Sequence, residues 1–114
     1  MMVYKLLTHD QMSALQADGE LTGAPVDLAD GFVHLSAGHQ VAETAAKHFE
    51  GVEGLHILAL DADTLGDDLR WEPSRGGALF PHLYRKLRLS DVVWSRTLMI
   101  GPDGRHRFPE EIGP

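Results

Sequence analysis

The stretch FVHLS, residues 32–36, holds one histidine in an otherwise apolar run, with a serine two positions later. Strand alternation places His34 and Ser36 on one face, together with Phe32. Ser36 is a favourable N-cap for a following helix, and a helix N-terminus can hold a phosphate or a carboxylate. Since His34 can donate or accept a hydrogen bond there, the pattern predicts a binding site. The alternative is a core histidine bonded to a backbone carbonyl.

A second group of polar side chains lies in RWEPSRGGALFPHLY, residues 70–84. Its first part predicts a short strand with Arg70 and Glu72 on one face and Trp71 on the other. Its second part predicts a long apolar loop, typical of a pocket wall, in which Arg75 is suited to a bidentate contact with phosphate. The alternative is an Ω-loop pinned by its own apolar side chains, with Arg70 and Glu72 as a structural ion pair. The candidate ligand-binding residues of both groups are Ser36, Arg70, Ser74, Arg75, His82 and Tyr84.

The seven histidines lack the spacing of a metal site. His39 and His48 are nine residues apart in one predicted helix, which places them on opposite sides of it. No HExxH motif is present, and the acidic run DADTLGDD (61–68) lacks the spacing of a calcium loop. The absence of cysteine and of GxSxG excludes thiolate zinc sites and the nucleophile elbow of serine hydrolases. We therefore expect no metal. The histidines taken as incidental are His9, His56 and His106.

The elements that must position these residues begin with a predicted strand at residues 3–7. A helix follows, with either Thr8 or Asp10 as its N-cap. Thr8 fits a capping box with Gln11. Gly19 is a natural end for this helix.

The remaining elements follow from apolar runs and turn residues. In chain order the sequence predicts a loop at 20–31, a strand at 31–36, a helix from Ser36 to about residue 50, a strand at 55–60, a short strand at 69–72, a loop at 73–84 and one or two strands in 86–100. The continuous apolar run LHILAL (55–60) indicates a central strand buried on both faces. Strands dominate over two helices, which predicts an α+β fold.

Length and composition favour one globular domain. The chain has 114 residues, of which 43% are apolar and 24% charged. We expect a single domain over 1–114, with its core in about 3–100. The Gly- and Pro-rich tail, 101–114, is expected to lie loosely on the surface or to fray.

The charge and the N-terminal sequence exclude further classes. The 17 acidic and 10 basic residues give a formal charge of −7, which argues against general nucleic-acid binding but leaves room for a local basic pocket. The first residues do not have the pattern of a secretory signal, and no segment reaches the roughly 18 apolar residues of a membrane span. We expect a cytoplasmic protein without membrane contact, and no oligomeric state is predicted.

Three long stretches resemble a known family. VYKLLTHDQM (3–12), DLADGFVHLSAGHQVAETAAKHF (27–49) and LALDADTLGDDLRWEPSRGGALFPHLY (58–84) resemble the bacterial domain of unknown function 952 family. The resemblance covers about residues 3–100, nearly the whole chain. This family has no established activity to carry over, so the resemblance implies membership and no chemistry.

A more distant resemblance bears on mechanism. FVHLS (32–36) before a helix, followed by LHILALDADTL (55–65), is similar to the middle of the RNA 2′-phosphotransferases, members of the ADP-ribosyltransferase superfamily. The resemblance implies a bent, split, mostly antiparallel sheet with two flanking helices and a cleft that binds NAD. His34 matches the second histidine of a pair that helps to hold the NAD and RNA-phosphate groups in that family.

Several departures separate this chain from the phosphotransferases. Phe32 stands where the first histidine of the pair would be, and Tyr4 and Lys5 occupy the place of an Arg-His pair near the first strand. The Arg-Gly loop pattern of those enzymes is also absent. Glu72 is the nearby candidate for the late glutamate with which the wider superfamily orients ribose.

The first functional hypothesis is an NAD- or nucleotide-binding protein, in its fullest form an ADP-ribosyl or 2′-phosphoryl transferase. In it, His34 and Glu72 are the catalytic residues: His34 bonds a ribose or phosphate oxygen, and Glu72 is a hydrogen-bond acceptor or general base. Arg75, together with Arg70, holds phosphate, and Tyr84 or Phe80 stacks on a ring of the ligand. The His34 ring and the Arg75 guanidinium are expected to line one cavity.

Two other hypotheses use the same residues differently. One is a non-catalytic small-ligand or protein-interaction module with the same pocket. The other makes residues 70–84 purely structural and places the function on another surface.

Overall fold

The computed structural model describes residues 1–21, 23 and 25–112, with all their side chains except those of Val26 and Arg75. The strands are β1 (Met2–Leu7), β2 (Glu20–Leu21), β3 (Val33–His34), β4 (Ser36–Ala37), β5 (His56–Asp61), β6 (Leu69–Pro73), β7 (Leu79–Leu83), β8 (Leu87–Arg88) and β9 (Val92–Thr97). The helices are α1 (His9–Asp18), α2 (Pro25–Asp30), α3 (Val41–His48) and α4 (Ala62–Leu65).

The described strands form three antiparallel sheets. A four-stranded sheet has the order β4-β1-β5-β9, a three-stranded sheet has the order β3-β7-β6, and β2 pairs with β8. The predicted α+β fold with mostly antiparallel strands is confirmed. The described part of the chain contains four helices, so the prediction of two flanking helices is wrong in number. The likeness to the ADP-ribosyltransferase fold stays a prediction.

Strand β5 is the centre of the larger sheet, as its continuous apolar run predicts. It lies between β1 and β9, and its four middle residues are fully buried. Leu58 and Leu60 enter one core cluster, whereas Ile57 and Ala59 enter a second cluster on the opposite face. Because each large aliphatic side chain contributes about 1.5–3 kcal/mol on burial, this strand is a main source of stability.

Helix α1 begins and ends where the sequence predicts. Thr8 Oγ1 accepts a hydrogen bond from Gln11 N at 3.3 Å, and Gln11 Oε1 accepts one from Thr8 N at 2.9 Å. Gly19 follows the helix with φ 77°, a conformation that glycine adopts without a Cβ clash. The capping box is therefore confirmed, with Thr8 rather than Asp10 as the N-cap.

The helix predicted to start at Ser36 begins five residues later. Ser36 lies in β4, paired with β1, and α3 begins at Val41 with Gln40 as its N-cap. The cause is that the chain changes sheets here. Leu35 N donates to Pro81 O in the three-stranded sheet at 3.0 Å, and the next residue then pairs with β1. The predicted anion-binding helix start at Ser36 is therefore wrong.

Two segments predicted as loops contain regular structure. Residues 73–84 hold β7, which pairs with β6 across a turn that Ser74 N closes by donating to Ala78 O at 2.9 Å. Strand β7 is the middle strand of its sheet, an uncommon place for Pro81. The loop prediction was based on the two prolines and the two adjacent glycines of this segment. Residues 20–31 hold β2 and α2. The pairings of β7 with β3 and of β2 with β8 join strands that are distant in sequence, which the local pattern does not reveal.

The described part of the tail, 101–112, is packed rather than loose. His106 is buried, and its Nε2 lies 2.8 Å from Val52 O. Phe108 and Ile112 pack against the second core cluster. The expectation of a loose or frayed tail is therefore wrong over these residues, and His106 has a structural role.

Candidate functional site

One face of the three-stranded sheet brings most of the predicted residues together. His34 pairs directly with His82, and His82 pairs with Arg70. Directly paired residues of antiparallel strands share a face, and alternation adds Glu72 and Phe80 to it. The opposite face turns apolar side chains of the same strands into the core: Val33, Leu69 and Leu83. The alternation that builds the core therefore also assembles the polar face.

A cavity of about 570 Å³ adjoins this face. Its volume lies within the roughly 300–1,000 Å³ that small-molecule sites occupy. Phe49 and Phe80 belong to its apolar wall. Four predicted ligand or catalytic residues line it: His34, Ser36, Ser74 and His82. Ser36 thus lies at the cavity through its place in β4, although it caps no helix.

The other predicted residues have different positions. Arg70, Glu72 and Tyr84 share the sheet face but do not belong to the described cavity wall. Their mutual contacts tie them together, with the Arg70 guanidinium carbon 4.8 Å from the centre of the Tyr84 ring. The side chain of Arg75 lies outside the described residues, so its predicted place beside His34 stays a prediction.

Glu72 bonds one of the two ring nitrogens of the buried His82 imidazole. Glu72 Oε1 lies 2.9 Å from His82 Nδ1 and accepts a hydrogen bond from Tyr84 Oη at 2.5 Å. The Tyr84 bond, followed by the His82 bond, lowers the pKa of Glu72 below its ordinary value. The same bond raises the pKa of Tyr84. The carboxylate of Glu72 is therefore stabilised in its ionised form by two neighbours on its own sheet face.

The other ring nitrogen of His82 is unusual. The side chain is only 5% exposed, and Nε2 is buried without a hydrogen-bond partner in the described part of the protein. The ring stacks on Phe32 with 4.0 Å between ring centres. A buried polar atom without a partner costs about 1–3 kcal/mol. A residue of the cavity wall thus carries an unsatisfied nitrogen.

His34 is bonded quite differently. Its Nδ1 lies 2.5 Å from Asp27 Oδ1, and its Nε2 lies 2.9 Å from Asp30 Oδ2. Its backbone N also donates to Asp27 Oδ1, at 2.9 Å. Both ring nitrogens of His34 therefore face carboxylates of α2, and neither faces a backbone carbonyl as the core alternative proposed.

Lys5 completes this cluster from β1. Its Nζ donates to Asp27 Oδ2 and to His34 O, both at 3.0 Å. The Asp27 side chain is fully buried and the Lys5 side chain nearly so. Burial lowers the pKa of Lys5, against the opposing attraction of Asp27. The cluster ties α2 to both β1 and β3.

Sequence reasoning missed Asp27 and the role of Lys5. The available signal was a lysine within the apolar strand VYKLL, because a buried ammonium group requires a carboxylate partner. Phe32 was placed on the face of His34 and at the position of a replaced histidine, but no role was given to its ring, which contacts three others: those of His34, His82 and Tyr84.

A search for other sites gives two findings. Over the described ranges, no group of three or more His, Cys, Asp or Glu side chains could hold a metal ion. None of the described helices has the length and apolar character needed to cross a membrane.

A comparison with protein families matches residues 6–95 to "Protein of unknown function (DUF952)". Among solved structures, the X-ray crystal structure of protein CC0527 from Caulobacter crescentus is 50% identical, with a TM-score of 0.90 and 94% of each chain covered. The solution NMR structure of CC0527 is 52% identical, with a TM-score of 0.83, covering 91% of this chain and 90% of that one. No curated protein matches. The resemblance to RNA 2′-phosphotransferases is not shown by these comparisons.

Proposed function

Because the chain belongs to the DUF952 family of proteins of unknown function, we propose its function from the cavity: it binds a small nucleotide-like ligand there. One observation carries the proposal. A cavity of about 570 Å³ has in its wall a buried histidine, His82, whose Nε2 has no hydrogen-bond partner in the described part of the protein. Native proteins leave few buried polar atoms unpaired, and a ligand that displaces the side chains covering Nε2 and bonds this atom removes the penalty.

The chemistry of the wall supports a nucleoside-like occupant. The rings of Phe49 and Phe80 offer apolar surface to a heterocycle. Ser36, Ser74 and His82 offer the few polar groups that orient a ligand. A nucleoside has this combination of a flat ring and a hydroxylated sugar.

The phosphate end of such a ligand is placed outside the cavity. Among the described side chains that line the cavity, Lys5 is the one lysine or arginine, and Asp27 neutralises it. Arg70 is exposed on the same sheet face, next to His82 in the register. We therefore place the nucleoside inside and the phosphates towards Arg70. In this arrangement the wall fits the nucleoside part of NAD, whose diphosphate then depends on Arg70.

In the transferase form of the proposal, an acceptor hydroxyl forms a bond to the ribose carbon of NAD that carries nicotinamide, the bond to nicotinamide breaks, and the hydroxyl proton passes to Glu72 as general base. His34 and Glu72 keep the catalytic roles that the resemblance implies for them. The experiment for this form is release of nicotinamide from NAD, compared between the wild type and His34→Ala. Equal turnover in the two proteins removes His34 from catalysis.

A specific observation favours the second candidate, a non-catalytic binding module with the same pocket. Both ring nitrogens of His34 are engaged with carboxylates, and Glu72, which is not part of the described cavity wall, is engaged by His82 and Tyr84. Neither predicted catalytic residue therefore presents an unengaged reactive atom to the cavity. Tight binding of a nucleotide without any turnover supports this candidate.

Calorimetry tests the binding proposal. The ligands are NAD, ADP-ribose, adenosine and a 2′-phosphorylated oligonucleotide. The blocking variant is Ser74→Trp, because Ser74 is an exposed residue of the cavity wall. The added indole should weaken binding at least tenfold, a loss of about 1.4 kcal/mol.

Ser95→Trp is the matched control, because Ser95 is also an exposed serine but lies on β9, away from the cavity. It should bind as the wild type does. The proposal is overturned if no ligand binds at millimolar concentration, or if the two tryptophan variants weaken binding equally.

A further inference from the structure

The two ring nitrogens of His82 have opposite surroundings. Nδ1 lies 2.9 Å from Glu72 Oε1, whereas Nε2 is buried without a hydrogen-bond partner in the described ranges. A neutral imidazole has one nitrogen that donates and one that accepts. The ring nitrogen that carries the hydrogen therefore decides whether a ligand must donate a hydrogen bond to Nε2 or accept one from it.

Glu72 decides which nitrogen carries the hydrogen. An ionised carboxylate only accepts hydrogen bonds, so the contact with Glu72 requires the hydrogen on Nδ1. Tyr84 Oη donates to the same oxygen at 2.5 Å, and this bond favours the ionised carboxylate. The lowered pKa of Glu72 agrees with this geometry.

The ring has little freedom to present the other nitrogen. His82 lies in the middle strand of its sheet, between His34 and Arg70 in the register. Phe32 stacks on one side of its ring at 4.0 Å, with 29° between the ring planes. The imidazole is therefore held by its strand, by a stacked ring and by a carboxylate.

We propose that Glu72 fixes His82 as the Nδ1–H tautomer, so that Nε2 is a hydrogen-bond acceptor, and that a ligand in the cavity displaces the side chains covering this buried atom and donates an O–H or N–H to it. This inference rests on the proposed function and narrows its ligand class. A ribose hydroxyl meets the requirement, whereas a sugar without hydroxyls does not. Glu72 is in this respect a positioning residue that acts through His82.

The tautomer is tested without any ligand by ¹⁵N NMR of the imidazole groups. In the wild type, the His82 Nδ1 signal should have the shift of a protonated nitrogen and Nε2 that of an unprotonated one. Glu72→Met removes the acceptor, so hydrogen should move to Nε2 in part of the molecules. Glu53→Met, which removes an exposed glutamate outside the site, should leave the His82 signals unchanged. Hydrogen on Nε2 of the neutral wild-type ring overturns the inference.

Selectivity is tested by calorimetry with adenosine, 2′-deoxyadenosine, 3′-deoxyadenosine and 2′,3′-dideoxyadenosine. A buried acceptor left unpaired discriminates strongly against the analogue that lacks the donor. The wild type should bind adenosine at least tenfold more tightly than the dideoxy compound, and the two monodeoxy compounds identify the hydroxyl. His82→Phe keeps a ring in the wall and should abolish the difference, as should Glu72→Met in part. Thermal unfolding checks that both variants are folded.

The outcomes separate this inference from the proposed function. If adenosine and its dideoxy analogue bind the wild type equally, the inference is wrong and the proposed function stands. If none of the tested nucleosides or nucleotides binds, the proposed function is wrong, and so is the ligand selection that rests on it. Discrimination that persists in His82→Phe assigns the hydroxyl contact to another residue and overturns the inference.

Discussion

Two histidines lie side by side on neighbouring strands, and their surroundings differ in kind. His34 has a carboxylate at each ring nitrogen, and the nearby ammonium group of Lys5 balances one of them. His82 has a carboxylate at one nitrogen and no partner in the described structure at the other. The register pairs the two residues directly, so strand position alone does not distinguish them.

From this difference we infer that His34 makes a structural contact, whereas His82 is the proposed binding group. The Lys5–Asp27–His34 cluster satisfies its own charges and joins α2 to two strands, which is what a stabilising network must do. His82 leaves a buried atom unpaired, which costs stability unless a ligand satisfies it. The cluster at Asp27 should therefore respond to mutation in stability, and His82 should respond in binding.

The largest expected effect comes from Asp27→Ala. This change leaves the buried ammonium group of Lys5 without its carboxylate and removes the partner of His34 Nδ1. Breaking a buried ion pair from one side costs about 3–5 kcal/mol. Urea unfolding followed by circular dichroism should show a loss of this size in the free energy of unfolding.

The control is Asp30→Ala, which removes the other carboxylate beside His34. Asp30 is 48% exposed, and exposed ion pairs contribute at most about 1 kcal/mol. If the two alanine variants lose equal stability, the Asp27 cluster does not stabilise the packing of α2 against β1 and β3. The double change Lys5→Met and Asp27→Leu should recover part of the loss, since it removes both buried charges together.

The second effect is that of His34→Phe. It keeps a ring but removes the hydrogen bond from Nδ1 to the buried carboxylate, and hydrogen bonds to charged groups contribute about 1.5–3 kcal/mol. The same urea experiment should show a loss within that range. A loss below about 0.5 kcal/mol would place His34 outside the stabilising network.

The sequence predicted elements whose signals are local. Thr8, Gln11 and Gly19 define α1 through contacts within one helix, and the apolar run of β5 indicates burial on both faces. Strand alternation correctly placed Arg70 and Glu72 on one face, which the register with β7 bears out. These features depend on neighbours within a few residues.

The predictions that were wrong, and the residues that were missed, depend on partners far along the chain. Ser36 is a good N-cap by type, but pairing with β1 keeps it in a strand. Pro81 indicates a loop, yet β3 and β6 flank it on both sides. Asp27 sits in a segment of turn formers, and its importance comes from Lys5, 22 residues earlier. The unsatisfied state of His82 likewise follows from the sheet register and has no signature in the order of residues.

The third effect, on stability, is small and comes from His82→Phe. The variant loses one hydrogen bond to Glu72, which is 34% exposed and can turn to water, but it also removes the unpaired Nε2. The two contributions oppose each other, so the free energy of unfolding should stay within about 1 kcal/mol of the wild type. His106→Phe is the matched comparison, because it strips the partner from the Val52 carbonyl and should cost more. Equal losses in thermal unfolding would contradict the contrast.

The smallest effect is a pH dependence carried by Glu72. Its pKa in the folded protein lies below the ordinary value of 4.5, because Tyr84 and then His82 bond the carboxylate. A group with a lowered pKa in the folded state stabilises the protein above its unfolded pKa and loses this contribution as the pH falls through the folded pKa. The stability difference between the wild type and Glu72→Gln should therefore be constant above pH 4.5 and shrink below it.

Tyrosine absorbance checks the same bond. The bond that lowers the pKa of Glu72 raises the pKa of Tyr84, so Glu72→Gln should let a tyrosine ionise at lower pH. Glu53→Gln, with the same loss of a carboxylate but outside the site, should leave that absorbance unchanged. A tyrosine titration that is identical in all three proteins would mean that Glu72 does not bond Tyr84, and the Tyr84 hydroxyl would then not stabilise an ionised Glu72 beside the His82 ring.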